Sequence, residues 1–273
     1  MVFVLKNSKV RKDDRMKKIC FLNQKGGVGK TTTTFQTAAY LTKHGKKVLM
    51  IDLDPQGNLT TCLGVNTTDL NTVTELMLGE ATFAETVMST KYGDLLPSDD
   101  ALGYREMEIS SRMAREKLLA NALKGKINKY EYILIDCPPA INVFVYNALM
   151  LTDEVVVVSE MGIFSAAGCG KMITTISAAA KAYDKKIKIT GILFTKNNNT
   201  VLAKSVHEQV QQVSKTYGVG VFNTQIGTFP SVVGASQASC ESVFDFEPDG
   251  KCAQQYAAAV EEITGERFSE SAE

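Results

Sequence analysis

No hydrophobic run in the 273-residue sequence approaches the ~20 residues that a membrane span requires. The apolar residues 1–5 are too few for the core of a secretory signal. These two absences predict a cytosolic protein. The six cysteines form no C-x-x-C pair, so neither a zinc ribbon nor a dithiol redox centre is indicated, and the thiols are expected to be small buried groups. Net charge is absent too: 30 Lys and Arg stand against 30 Asp and Glu, which argues against a surface that binds polyanions everywhere. No Pro- or Gly-rich linker, internal repeat or low-complexity tract divides the chain. With 44% hydrophobic and 22% charged residues the composition is globular. We expect one domain over residues 16–273, preceded by a basic tail or extension at 1–15.

The zero net charge is a sum of opposed segments. Residues 1–18 hold seven basic residues against two acids, a balance of +5, and residues 181–215 hold seven lysines against two acids, again +5. Residues 241–273 hold nine acids against Lys251 and Arg267, which is −7. Any affinity for a polyanion must therefore be local and salt-sensitive.

Short apolar runs alternate with helical patterns. Strands are predicted at 19–23, 48–52, 132–136, 155–159, 187–194 and 219–222, with a shorter one near 94–96. Helices are predicted at 29–43, 72–78, 82–89, 104–124, 165–183, 200–216 and 251–264. Continuous β-branched runs mark strands buried on both faces. The expected fold class is α/β, a mostly parallel twisted sheet with helices on both faces.

Between the first strand and the first helix lies Lys25-Gly26-Gly27-Val28-Gly29-Lys30-Thr31-Thr32. Glycines let a loop turn tightly and aim its N–H groups at phosphate oxygens. Lys30 is placed to reach the β- and γ-phosphates and the Thr31 hydroxyl to ligate Mg²⁺, while the helix N-terminus adds partial positive charge. This makes the fold a P-loop NTPase fold. Counted from Gln24, the usual first glycine of the motif is missing. A second element supports the site: Ile133-Leu134-Ile135-Asp136 ends an apolar strand on an acid, as a Walker B strand does to hold the Mg²⁺ shell.

Asn23-Gln24-Lys25-Gly26-Gly27-Val28-Gly29-Lys30-Thr31-Thr32, then Asp52-Leu53-Asp54-Pro55-Gln56-Gly57-Asn58, then Asp136-Cys137-Pro138-Pro139, resemble the ParA family of partition ATPases, with their deviant Walker A motif. The resemblance runs through residues 16–265 in order and spacing, and the D-x-D-P-Q-G-N form is similar to ParA and Soj-like members. It implies ATP and Mg²⁺ as cofactors and a slow, partner-stimulated ATPase. Lys25 becomes the deviant-motif lysine that reaches the partner's phosphates across an ATP-sandwich homodimer, Asp54 the residue that orients the attacking water, and Asp52 a support of the Mg²⁺ region beside Thr31 and Asp136. Pro138 and Pro139 become a stiff switch segment. Adenine contacts are implied around Thr195, Lys196 and Asn197 and at Phe229 and Pro230. Two arginines usual in the family are replaced here, by the Lys196-Asn197-Asn198-Asn199-Thr200 loop and by Ser231 after Pro230, which puts the base pocket and the DNA surface in question.

The family further implies non-specific DNA binding by the dimer, a ParB-like centromere-binding partner, nucleoid association, and plasmid or chromosome segregation. The DNA-contact candidates are Lys181, Lys185, Lys186, Lys188, Lys196, Lys204 and Lys215. The alternative is a MinD-like or orphan ParA-like ATPase that positions a membrane-associated or protein cargo. A MinD-like protein needs a basic amphipathic C-terminal helix, and the tail here is acidic, so membrane binding is not expected. An iron–sulfur relative needs paired cysteines at a dimer axis, and Cys137 and Cys169 are poorly placed for that.

Overall fold

A computed structural model describes residues 16–198 and 200–268, so the expected basic tail at 1–15 lies outside the described residues. Among them, eight strands form one sheet: β1 (Lys17–Leu22), β2 (Val48–Asp52), β3 (Met88–Thr90), β4 (Gly93–Leu96), β5 (Tyr132–Asp136), β6 (Glu154–Glu160), β7 (Lys188–Asn197) and β8 (Val221–Gly227). Their order is β3-β4-β2-β5-β1-β6-β7-β8. Every neighbouring pair is parallel except β3 with β4 at one edge.

The apolar strand runs supply two cores because successive side chains point to opposite faces. Ile19, Phe21, Met50, Leu134, Val156 and Val158 enter one core. Cys20, Leu22, Ile51, Ile135, Val155 and Val157 enter the other. The longer helices are α1 (Lys30–Lys43), α2 (Val143–Leu151), α3 (Ser165–Ala182), α4 (Val201–Tyr217), α5 (Pro230–Ala238) and α6 (Lys251–Thr264). Phe35 and Leu41 of α1 and Tyr256 and Val260 of α6 fill the first core. Phe144 of α2, Ile173 of α3 and Val206 of α4 fill the second. The strand order reverses around β1, which lies between β5 and β6, so the crevice at its carboxyl end is where an open α/β sheet offers a binding site.

Two expectations are corrected, and three helices are added. The helix predicted at 104–124 is divided into Ala101–Tyr104, Glu106–Ser111, a 3₁₀ turn Arg115–Lys117 and Leu118–Leu123. Its breaks coincide with Arg112 in an extended conformation and Ala114 at φ 52°. Asn147 of α2 holds the pieces from outside, accepting from the Leu119 N–H at 3.0 Å and donating to the Arg115 carbonyl at 2.8 Å, so tertiary hydrogen bonds override local helix propensity. The helix predicted at 82–89 stops at Thr86, and the chain turns into the antiparallel edge strand β3. Helices Asn58–Cys62, α5 and Val243–Phe246 carry too little periodic signal to appear in the sequence reading, although Pro230 at the first turn of α5 is a start signal.

Candidate functional site

The glycine loop leaves β1 and is pinned before it turns. Buried Asn23 donates its side-chain N–H to the Val158 carbonyl at 2.6 Å and accepts from the Lys25 N–H at 3.0 Å. Gly27 at φ 72° and Gly29 at φ 90° adopt the left-handed backbone that side chains disfavour. Thr195 on β7 donates to the Val28 carbonyl at 2.6 Å and packs its methyl beside Gly29. The Val28 side chain is in the core, so only its main chain belongs to the loop surface. Lys30 is buried, donates to the Lys25 carbonyl at 3.3 Å, and has its pKa lowered by that burial.

Register sets the acids. Asp136 pairs across the sheet with Phe21 on one side and Asp52 on the other. Its carboxylate accepts from the Thr31 hydroxyl at 2.6 Å and the Cys137 N–H at 3.1 Å. Asp52 is fully buried, and its oxygens accept from the N–H of Asp54 at 3.1 Å and from the N–H and hydroxyl of Thr60 at 2.9 and 2.8 Å. Asp54 lines a cleft of about 680 Å³ with Gly27, Lys30, Thr31, Thr195 and Pro230. Asp52 and Asp136 stand behind that lining, both with no exposed surface.

Of the residues implied for adenine, Thr195, Lys196, Phe229 and Pro230 line the same cleft. Asn197 faces a smaller neighbouring hollow and donates to the Gln225 side chain at 2.6 Å. Sequence reasoning missed Gln237, which reaches from α5 to the Thr32 hydroxyl at 3.3 Å, and Tyr256 of α6 at the cleft wall. It also missed the partner of Lys25. That lysine projects into an adjoining groove and pairs with Glu160 at the end of β6, 135 residues away. A Cβ on Gly162 would lie 3.2 Å from the Glu160 carboxylate, so glycine leaves room for this pair.

The lysines considered for DNA do not form one patch. Lys188 opens β7 and Lys196 stands eight residues on, about 26 Å along an extended strand. Lys185 is half-buried on the Met150 carbonyl at the end of α2, and burial lowers its pKa to about 8. Lys188 pairs with Glu154 at 3.6 Å. Lys181, Lys186, Lys204 and Lys215 are exposed. Cys137 and Cys169 are fully buried and stand apart from any outer face. Among the described residues no helix is long and apolar enough to cross a membrane.

These residues fit a magnesium nucleotide. Among the described residues no three His, Cys, Asp or Glu side chains form a metal cage. One hydroxyl and one carboxylate, Thr31 on Asp136, instead match a Mg²⁺ ion that takes its remaining oxygens from phosphate and water. Cβ positions on Gly26 and Gly27 meet nothing within 4 Å, which is the open backbone cradle that phosphate oxygens require. The acids also call for a cation. Burial, and then the nearby Asp52 charge, push the Asp136 carboxyl up to about 8, and burial pushes Asp52 up to about 6.

An acid whose native pKa exceeds its unfolded value costs stability progressively as pH rises between the two, here from about 4 to about 8. Asp136→Asn keeps the shape and can still accept from Cys137 and donate to Thr31. In nucleotide-free, chelator-treated protein this variant should raise Tm by about 4 °C or more at pH 8 and by clearly less at pH 5.5. Equal shifts at both pH values in scanning calorimetry would contradict this electrostatic account.

The family described as "AAA domain" matches residues 16–189. The chain is 33% identical over 252 residues to the chromosome-partitioning ATPase Soj of Treponema pallidum, covering 90% of this chain and 96% of the relative. It is 33% identical over 253 residues to the chromosome partitioning protein ParA of Caulobacter vibrioides, covering 90% and 92%. Among solved structures it is similar to a cobyrinic acid a,c-diamide synthase from Mycobacterium smegmatis with bound ADP and magnesium, at 30% identity and a TM-score of 0.73 over 87% of this chain and 98% of that one. With the deviant glycine loop, the paired acids of β2 and β5 and a parallel sheet of this order, the chain belongs to the ParA/Soj-like partition ATPases of the AAA-domain family.

Proposed function

We propose that this protein is a Mg²⁺-dependent ATPase that dimerises on ATP, binds DNA without sequence preference, and drives plasmid or chromosome segregation in the cytoplasm at the nucleoid with a ParB-like partner. The observation that carries the reading is the convergence of Lys30, Thr31 and Asp54 on one cleft at the carboxyl end of β1, with Asp136 bonded to Thr31 just behind it. The ADP and magnesium in the 30%-identical relative support the choice of ligand.

In this reading Gly26, Gly27 and Gly29 cradle the phosphates with main-chain N–H groups, and Lys30 neutralises charge on the terminal phosphates. Thr31 and, behind it, Asp136 would hold Mg²⁺, which would supply Lewis-acid polarisation of the phosphoryl oxygens. Asp54 lies on the cleft wall with one oxygen held by the Gln56 N–H at 3.0 Å, leaving the other to orient the attacking water. Asp52 does not face the cleft, and its role is to shape the turn that carries Asp54. Phe229, Pro230 and Thr195 enclose the base.

Lys25 is half-exposed and held only by a surface ion pair with Glu160, a contact of low cost to break. Release from Glu160 frees it to reach phosphates in a second subunit, where a further cation offsets charge developing during transfer. The DNA surface is assigned to the exposed lysines, among them Lys186 and its near neighbour Lys188; Lys185 is excluded by its bond to Met150.

Three outcomes test this reading. Asp54→Ala should retain ATP binding while turnover falls roughly 100-fold and the ATP dimer accumulates, as read by phosphate release and light scattering; wild-type turnover would remove Asp54 from the mechanism. Lys25→Gln should stay monomeric with ATP at concentrations that dimerise the wild type, and an unchanged mass would count against a role across the interface. Replacing Lys186 and Lys188 with alanine should weaken ATP-dependent DNA binding and lower the slope of log K against log salt by about 2. An unaltered slope would move the DNA surface elsewhere.

A further inference from the structure

The turn bearing Asp54 is held from beneath by residues that do not touch the cleft. β2 ends at Asp52, whose first oxygen accepts from the Asp54 N–H at 3.1 Å. Its second oxygen accepts from both the N–H and the hydroxyl of Thr60, at 2.9 and 2.8 Å. The Thr60 hydroxyl in turn accepts from the Ser98 N–H at 3.0 Å, in the loop that follows β4. Gly57 closes the turn at φ 57°, donating to the Asp54 carbonyl at 2.9 Å. A Cβ there would stand 2.8 Å from the Ser98 carbonyl. The Asp54 N–H is therefore held by Asp52, the turn that follows it passes against Ser98 at Gly57, and Thr60 joins Asp52 to Ser98.

Thr60 is 2% exposed and is not among the cleft-lining residues, so it makes no contact with a nucleotide placed there. Its hydroxyl uses donor and acceptor capacity together, which no apolar side chain can do. Removing it leaves an oxygen of a fully buried carboxylate with one donor in place of two, and leaves the Ser98 N–H without its acceptor.

We propose that Thr60 is a positioning residue for ATP hydrolysis, locking Asp54 in its water-orienting place through Asp52 and Ser98. The proposal rests on the reading of Asp54 given above. Displacement of a reacting group by about 1 Å is enough to cost roughly 100-fold in rate while leaving phosphate binding by the glycine loop untouched.

The test compares Thr60→Val and Thr60→Ser in the full chain. Thr60→Val should lower kcat for Mg²⁺-ATP roughly 10- to 100-fold with KM and calorimetric ATP affinity within about twofold, and Thr60→Ser should restore kcat to within about threefold. In nucleotide-free protein, hydrogen–deuterium exchange of residues 52–60 should accelerate about tenfold in Thr60→Val, with residues 23–32 unchanged. Thr60→Ala removes the same hydroxyl without a second methyl against Asp52, and takes the place of the valine variant if that one does not fold. Wild-type kcat in the hydroxyl-free variant, while Asp54→Ala lowers turnover as expected, overturns the proposal, as does unchanged exchange over 52–60. If Asp54→Ala itself turns over normally, the reading of Asp54 fails, and with it the hydrolytic role of Thr60.

Discussion

Parallel pairing at the centre of the sheet sets the geometry of the whole site. β5 lies between β1 and β2, with Phe21 and Asp52 level with Asp136 on its two sides. The glycine loop leaves β1 one residue beyond Phe21, so Thr31 at the start of α1 arrives over Asp136, and the Asp54 turn leaves β2 beside it. A slip of one residue in either pairing would exchange faces along the strand and put Ile135 where the carboxylate belongs. Two fully buried cores, fed alternately by the same strands, forbid that slip. Packing thus fixes electrostatics: the acids are dry and adjacent because the register admits no other arrangement.

Some of the charge that composition presents as free is engaged by hydrogen bonds to neighbouring elements. Glu262 accepts from the Asn223 and Thr224 N–H groups, each at 2.8 Å, and Asp245 accepts from the hydroxyls of Tyr92 and Ser242 at 2.7 and 2.8 Å. The acidic end of the chain is therefore partly a set of hydrogen-bond acceptors for neighbouring elements. Lys185 on Met150 is the matching case among the basic residues. Segment counts locate charge along the chain, whereas burial decides which of it a polyanion can meet.

The central strands, α1 and the glycine loop were legible because each is a local signal: an apolar run, a glycine stop after a helix, a Lys-Thr pair at a strand-to-helix turn. Asp136 was legible for the same reason, as the acid that ends an apolar strand. What stayed hidden depends on residues far apart in sequence. Glu160 meets Lys25 across 135 positions and Gln237 meets Thr32 across 205, and nothing near either residue announces the contact. The division of the 104–124 segment has the same origin, since Asn147 dictates it from another helix. Asp52 shows the limit in a motif. The family resemblance implied that it supports the Mg²⁺ region, while its oxygens are bonded to Asp54 and Thr60.

The start of β1 is tied to the far end of the chain. Lys17 donates to the Thr264 carbonyl at 2.7 Å and pairs with Glu266 at 3.0 Å, a loop of 249 residues. Val260 and Ile263 of α6 share a core with Ile19 and Phe21. During synthesis the anchor of β1 follows it by about 12–50 s at ordinary translation rates. Over that interval α1 can cover this face of β1, but the packing of Val260 and Ile263 and the tether on Lys17 are missing. The strand that carries the nucleotide loop thus gains its last packing and its ion pair only after some 249 further residues have been made.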